Sequence, residues 1–573
     1  MSKNNYIKIT LGISLFFIAS DCYSQTIDIG AIGKGKAFKI SGGVSASSIF
    51  FNSNQSGSRV PFTYFLQGSL NLSLYQFSLP ISYSYSNQGG QFSYNLPFNI
   101  NRLSLHPKYK WIQAHIGDVA MSFSPYTLNG YQFTGGGLDL TPKGPFSISL
   151  MYGRLLKATE YDGNPRTIPA FRRMGFGTKL GFRKEKYSVN LILFYAKDKI
   201  NSISVLPDSI GIKPKENLVI SIDGSYKILQ NLEFKGEYAS TAITQDLRSE
   251  KGNSYSQGLA GLLFNNRSST EHYTAIKTAL TYSFAKSTLG VGYERIGPGY
   301  QTLGAYFFNN DLENITINST TRLFKDKVNL AFNIGYQRDN LENQKKQSTG
   351  RTVGSVNATV NASKKLTLGA SYSNFSTFTN VKLNQFDMVN SNQPEYQVNK
   401  DLNYVQLSQN ASINANYVIS KNENKNTNIN ISYSLADVSN KQGGIVRTGN
   451  ASSFHNTNLS YSLGLPKKDI NITVGMMATL NTIGTGNTTT WGPTLGFNKK
   501  LLNKKLNTGF FTSFNSSNST KGSNSNITNI RITASYVLKE KHNFNLNAYQ
   551  LFNSLSGNNT QSLTINFGYG YSF

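Results

Sequence analysis

The chain has 573 residues and a formal charge of +27, with 56 Lys and Arg against 29 Asp and Glu. Charged residues make up only 15%, Phe and Tyr number 36 and 33, and mean hydropathy is −0.33. Many Phe and Tyr with few charges favour strands, and the lack of an 18-residue apolar run excludes a transmembrane helix.

Lys3 and Lys8 precede an apolar stretch from Ile9 to Ser20, and the small residues Cys22 and Ser24 stand at the −3 and −1 positions before Gln25. This pattern predicts a secretory leader over residues 1–24, with a mature domain over 25–573. A lipoprotein signal at Cys22 is the competing reading, but it wants a small residue where Asp21 stands. Cys22 is the single cysteine, so cleavage leaves neither a disulfide framework nor a thiolate metal site. Loss of the leader also leaves a net charge of +26.

From Phe38 onward the dominant pattern is period two, in segments of roughly 10 to 14 residues separated by Asn, Ser, Gly and Lys clusters. Val328, Leu330, Phe332, Ile334 and Tyr336 alternate with Asn329, Ala331, Asn333 and Gly335. Ile429, Ile431, Tyr433 and Leu435 do the same against Asn430, Ser432 and Ser434. Soluble strands average about five or six residues, whereas a tilted membrane crossing takes about 9 to 11. One long-strand pattern without a linker predicts an all-β chain folded as a single large transmembrane antiparallel β-barrel, the closed sheet that satisfies its backbone in lipid. Only about a dozen residues separate Gln25 from the first strand, too few for a plug domain.

Short lysine-bearing breaks give the strand count. They fall at Lys184 to Lys186, Lys227, Lys286, Lys325 to Lys327, Lys364 and Lys365, Lys421 to Lys425, Lys467 and Lys468, Lys499 to Lys505, and Lys539 to Lys541. Earlier turns are expected at Tyr75 and Gln76, Pro107 to Tyr109, and Pro142 to Gly144. Longer polar loops are expected at Asp246 to Glu271, Arg338 to Gly350, Asn380 to Asp401, Asn440 to Ala451 and Asn515 to Asn526. The alternation of short turns and long loops predicts about 26 strands, within a range of about 24 to 28, with both termini periplasmic.

In the last segment Phe567, Tyr569, Tyr571 and Phe573 share one face. A final strand ending in an aromatic residue resembles the signal by which bacterial outer-membrane proteins are recognised by the barrel-assembly machinery. Two segments break the simple alternation, Ser104 to Gly130 and Gly292 to Thr316, mixing Pro, Gly, Trp and acidic residues. They resemble segments of poorly characterised outer-membrane barrels of Bacteroidota. That resemblance implies an outer-membrane location and no particular substrate. Structurally the two segments read as folded loops, bulges or constrictions, with contact to a partner or ligand as the alternative.

No catalytic or metal constellation stands out, and no cofactor is implied. The histidines at 106, 115, 272, 455 and 542 are dispersed and lack metal-ligand spacing. A hydrolase is the minor alternative, with His115 and Asp118 brought near a serine by the barrel. Scattered lysines argue against a nucleic-acid partner and suit wet rims meeting anionic lipid, lipopolysaccharide phosphates or an acidic partner. Two lumenal features are predicted. Arg173, Lys179 and Arg183 point inward as a basic strip that either pairs across the barrel or guides an anionic solute. Glu233, Lys235 and Glu237 share an inner face as a charge-pairing group.

The expected function is a channel or transport component for polar solutes in the bacterial outer membrane. The alternative is a structural or accessory component of a surface-assembly or protein-secretion complex, its loops and basic turns holding outer-membrane protein partners.

Overall fold

The computed structural model describes residues 38–573 except 56–59, 75–76, 88–101, 164–166, 205–210, 253–256, 307–309, 344–347, 349, 375–403, 443–444, 485, 521, 523 and 556–557. The expected leader, the turn at Tyr75 and Gln76 and the stretch Asn380 to Asp401 lie outside the described residues.

Long alternating segments make one sheet of 27 antiparallel strand segments, each beside its neighbours in sequence. The sheet closes on itself. Strand Phe38–Ser53 pairs with Phe62–Leu74 on one side and Asn558–Ser572 on the other, with Val44 opposite Tyr571. Arg102–Leu105 and Lys108–Tyr109 are two halves of one stave, because both pair with Phe77–Ser86 and both pair with Ile112–Met121. The break falls at Pro107, which has no N–H to give the ladder. Counted by staves the barrel is 26-stranded.

The lysine turns sit on one rim. Lys184 to Lys186 separate Arg173–Arg183 from Tyr187–Asp198, Lys325 to Lys327 separate Leu312–Leu323 from Val328–Asp339, and Lys539 to Lys541 separate Ser525–Leu538 from His542–Leu555. Lys227 is displaced from its turn: the strand Glu216–Leu229 continues past it and reverses at Gln230 and Asn231. Two expected loops are largely strand. Asn426–Gln442 and Ile445–Leu465 extend as a hairpin through Asn440 to Ala451, and Leu506–Ser519 and Ser525–Leu538 take up most of Asn515 to Asn526. Polar residues do not end a strand that has a partner, since the ladder bonds belong to the backbone.

Alternate side chains point in and out. On Tyr187–Asp198, Val189, Leu191 and Leu193 face outward while Asn190, Ile192 and Phe194 face inward. Near the short-turn rim the outward face carries aromatic residues in contact, Phe146 against Phe182 at 4.9 Å and Phe182 against Tyr187 at 5.9 Å. Farther along, Tyr152, Phe176 and Tyr195 lie side by side across three strands. Tyr187 and Tyr195 are eight residues apart on one strand, about 26 Å along it, or roughly 20 Å along the axis at a tilt of about 40°. Two residues beyond Tyr152 and Tyr195 come the outward charges Arg154 and Lys197, the latter 3.1 Å from Glu216. An apolar band bounded by aromatic rows, with charges just outside it, is the outward profile expected of a barrel wall in lipid.

Candidate functional site

The inner wall has two unlike halves. From the strand Tyr404–Lys421 onward, one row across the wall runs Asn416, Asn430, Ser460, Gly475, Thr494, Ser513 and Asn529, without a charge. The opposite half carries Asn190, Asp223, Glu237, Lys277, Glu294, Asn314 and Gln337 in one row.

Over that charged row two loops fold into the barrel. Residues 122–130 follow the strand Ile112–Met121, and residues 297–306 follow Ser287–Ile296. The two loops hold each other. The Asn129 N–H donates to the Gly304 carbonyl at 2.9 Å, the Tyr300 hydroxyl to the Tyr126 carbonyl at 2.8 Å, and the Thr302 hydroxyl to the Thr127 carbonyl at 2.8 Å.

The wall holds both. Lys179 Nζ donates to the Phe123 carbonyl at 2.8 Å, the Leu303 N–H to Asn217 Oδ1 at 3.0 Å, the Thr241 hydroxyl to the Gln301 carbonyl at 2.9 Å, and the Tyr126 hydroxyl to Glu294. Beneath the loops Phe123, Leu128 and Leu303 pack with Met151, Ile192, Phe194 and Val219 in one core on the inner face of the wall. Small wall residues make the room. A Cβ at Gly177 would lie 2.6 Å from Cε2 of Phe123, and one at Gly175 would lie 2.8 Å from Leu155. Full burial of an aliphatic or aromatic side chain contributes about 1.5 to 3 kcal/mol, so the loops are a built part of the lumen.

Arg173, Lys179 and Arg183 share the inward face but meet different partners. Arg173 makes a bidentate pair with Asp198, at 2.8 and 2.9 Å. Lys179 serves the loop and lies 3.6 Å from Asp223. Arg183 is exposed at the short-turn rim. Lys235 lies 3.1 Å from Glu233, whereas Glu237 accepts from the Ser221 hydroxyl at 2.9 Å and stands opposite Asp223 and Lys277. Phe567 faces outward in the closing strand, and Tyr569 and Tyr571 group around His542 with ring separations of 6.0 and 4.8 Å. Phe573 stacks on Tyr571 at 5.5 Å.

Asp118 does not join His115. It accepts from Thr134 at 2.6 Å, while the His115 imidazole meets Asp139 and His106. Ser149 contacts that aspartate and not the ring. Another serine, Ser453, is 3.2 Å from His455, but the other nitrogen of that ring meets the Tyr433 hydroxyl in place of a carboxylate.

On the outer wall a loop reaches back over the barrel. Its helical turn Gly258–Gly261 and Phe264 cover Leu218, Ile220 and Ala242, leaving Leu262 and Leu263 75% and 68% exposed. The same loop carries an ion cluster in which Arg248 holds Asp246 through its guanidinium at 2.9 and 3.0 Å. The Arg248 hydrogen bonds keep the Asp246 carboxyl below its ordinary range. That contribution is therefore present above the unfolded value of about 3.9 and is lost as pH falls through the lower folded value. Limited proteolysis of residues 245–269 should accelerate on acidification, and Asp246→Asn should give the acid behaviour at neutral pH.

No protein-family model matches the chain, and no curated protein does. Among solved structures it is similar to the P pilus usher (PapC) translocation pore, with 10% identity and a TM-score of 0.39 over 93% of this chain and 99% of that one. It is also similar to the FrpB iron transporter from Neisseria meningitidis, at 11% identity and a TM-score of 0.38 over 95% and 82% of the two chains. For Acinetobacter baumannii OccAB3 the values are 10% and 0.29, over 68% and 99%. At these identities and scores the likenesses assign neither solute nor partner.

Proposed function

We propose that the chain is a bacterial outer-membrane β-barrel that passes polar solutes through a lumen narrowed on one side by the loops 122–130 and 297–306. The observation that carries this reading is the two-faced wall: apolar residues between aromatic rows outside, and an uncharged row of mainly Asn, Ser and Thr on the inner face. A channel needs a polar lining that binds solutes weakly enough to release them, and the uncharged row offers neutral hydrogen-bonding groups. Lipid contacts the band, and the lysine turns suit anionic head groups, lipopolysaccharide phosphates among them on the outer leaflet. The reading takes the termini to be periplasmic, residues 1–24 to be a leader, and the terminal aromatics Phe567 to Phe573 to serve recognition by the assembly machinery. The hydrolase alternative finds no support at His115 or His455, since neither is arranged as a serine–histidine–carboxylate triad.

Purified full-length protein in planar lipid bilayers tests this. Discrete conductance steps that neutral sugars of increasing size progressively block are the expected result, and protein that inserts but never conducts would refute it.

A second reading, an accessory part of an outer-membrane assembly, is favoured by Leu262 and Leu263 protruding from the outer wall. Photo-crosslinkers at these two positions should then capture a protein partner in outer membranes. Capture of lipid alone would count against the accessory role.

A further inference from the structure

The hairpin register runs unchanged across the break at Pro107, with Leu105 opposite Ile116 and Lys108 opposite Gln113. Two histidines nine residues apart therefore stand opposite each other on one patch of the inner wall, with His106 Nδ1 2.8 Å from His115 Nδ1. Backbone bonds fix the break on both sides: His106 N–H donates to the Pro80 carbonyl and Ala114 N–H to the Pro107 carbonyl, each at 2.8 Å. The second nitrogen of His115, Nε2, lies 2.8 Å from Asp139 Oδ2, and the other carboxylate oxygen of Asp139 accepts from the Ser149 hydroxyl at 2.5 Å.

These contacts decide the lone pairs. Asp139, an acceptor, fixes the His115 proton on Nε2 and leaves a lone pair on Nδ1. One proton from His106 then bridges the two Nδ1 atoms. A carboxylate behind one imidazole nitrogen, with the opposite nitrogen turned toward a second imidazole, is the outer-shell arrangement that orients and strengthens a histidine ligand.

We propose that His106 and His115 form a binding site for a divalent transition-metal ion of the imidazole-preferring kind, zinc or copper(II), with Asp139 as the orienting partner of His115. The ion takes the place of the bridging proton, and the His106 proton moves to its own Nε2. Two ligands at about 2.0 to 2.1 Å in a tetrahedral arrangement stand roughly 3.4 Å apart, so the rings need to part by only about 0.6 Å. Among the described residues no group of three or more His, Cys, Asp or Glu converges as a metal site. The remaining positions therefore fall to water from the lumen, and the ion exchanges readily. Ionisable groups in a membrane-spanning wall are costly and mark functional positions, and an inward imidazole pair backed by a carboxylate needs a use. The site does not depend on whether the barrel conducts.

Calorimetric titration of the full-length barrel in detergent micelles with zinc chloride, after chelator treatment and in a non-coordinating buffer at neutral pH, tests the proposal. One saturable site per chain is expected. His106→Asn and His115→Asn should each abolish it, Asp139→Asn should weaken it about 10- to 100-fold, and His455→Asn, on an outward face beside Tyr433, should leave it unchanged. Heat-modifiable migration on gels reports that each variant is folded. No saturable binding by the native chain, or binding that survives either asparagine substitution at 106 or 115 in a folded barrel, overturns the assignment.

Discussion

Gly304→Val should detach the inturned loops and raise single-channel conductance while leaving the barrel folded. A Cβ at Gly304 would lie 2.7 Å from the Thr127 carbonyl oxygen and 2.8 Å from Cε1 of Phe194. The first of these is backbone held by the Thr302 hydroxyl, and the second is a fully buried ring, so neither side can retreat cheaply. Forcing extra methyl groups into such a contact costs about 1 to 3 kcal/mol, which shifts a two-state equilibrium about 5- to 150-fold. The loops rather than the wall should absorb this, because each wall strand is bonded to two neighbours along its length while the loops are held by a few hydrogen bonds and one face. Planar-bilayer recording and limited proteolysis within 122–130 read the outcome together. Unchanged conductance and unchanged protease resistance in a folded Gly304→Val barrel would mean that the loops do not narrow the path.

The two loops stood out in the sequence as breaks in an otherwise regular alternation, because Pro125 and Pro298 have no N–H to give a ladder. Their meeting was not legible. It depends on Asn217 and Thr241, which lie in strands whose own pattern is unremarkable, and on Gly177, whose missing side chain makes space for Phe123. Strand number was legible because the lysine turns repeat, and the register shift at Lys227 arose where a lysine sits just inside a strand end. Asp223, Lys277 and Glu294 could have been found by the same inward parity that singled out Lys179 and Glu237. The pairing of His106 with His115 was hidden because the turn was expected at Pro107 to Tyr109, whereas the hairpin reverses at Lys110 and Trp111 and its register sets the two histidines opposite each other.

Arg173→Met should destabilise the barrel by about 3 to 5 kcal/mol, the cost of leaving a buried carboxylate without its partner. Asp198 has a side chain only 2% exposed, and beyond the two guanidinium bonds it accepts the Lys215 N–H at 2.9 Å. Once the guanidinium is gone that single N–H cannot compensate a buried charge. The double variant Arg173→Met with Asp198→Leu should recover part of the loss, because an apolar pair can replace a buried ion pair without penalty. It should fall short of full recovery by about 1 to 3 kcal/mol, the cost of an unsatisfied Lys215 N–H. Denaturant midpoints followed by heat-modifiable migration give all three values. The same series separates the two uses open to an inward arginine. If Arg173 guided anionic solutes, Arg173→Met would alter the anion-to-cation permeability ratio and leave the midpoint in place. A bidentate pair with a buried aspartate predicts the reverse: a lowered midpoint, a permeability ratio that hardly moves, and a double variant that is more stable than the single one.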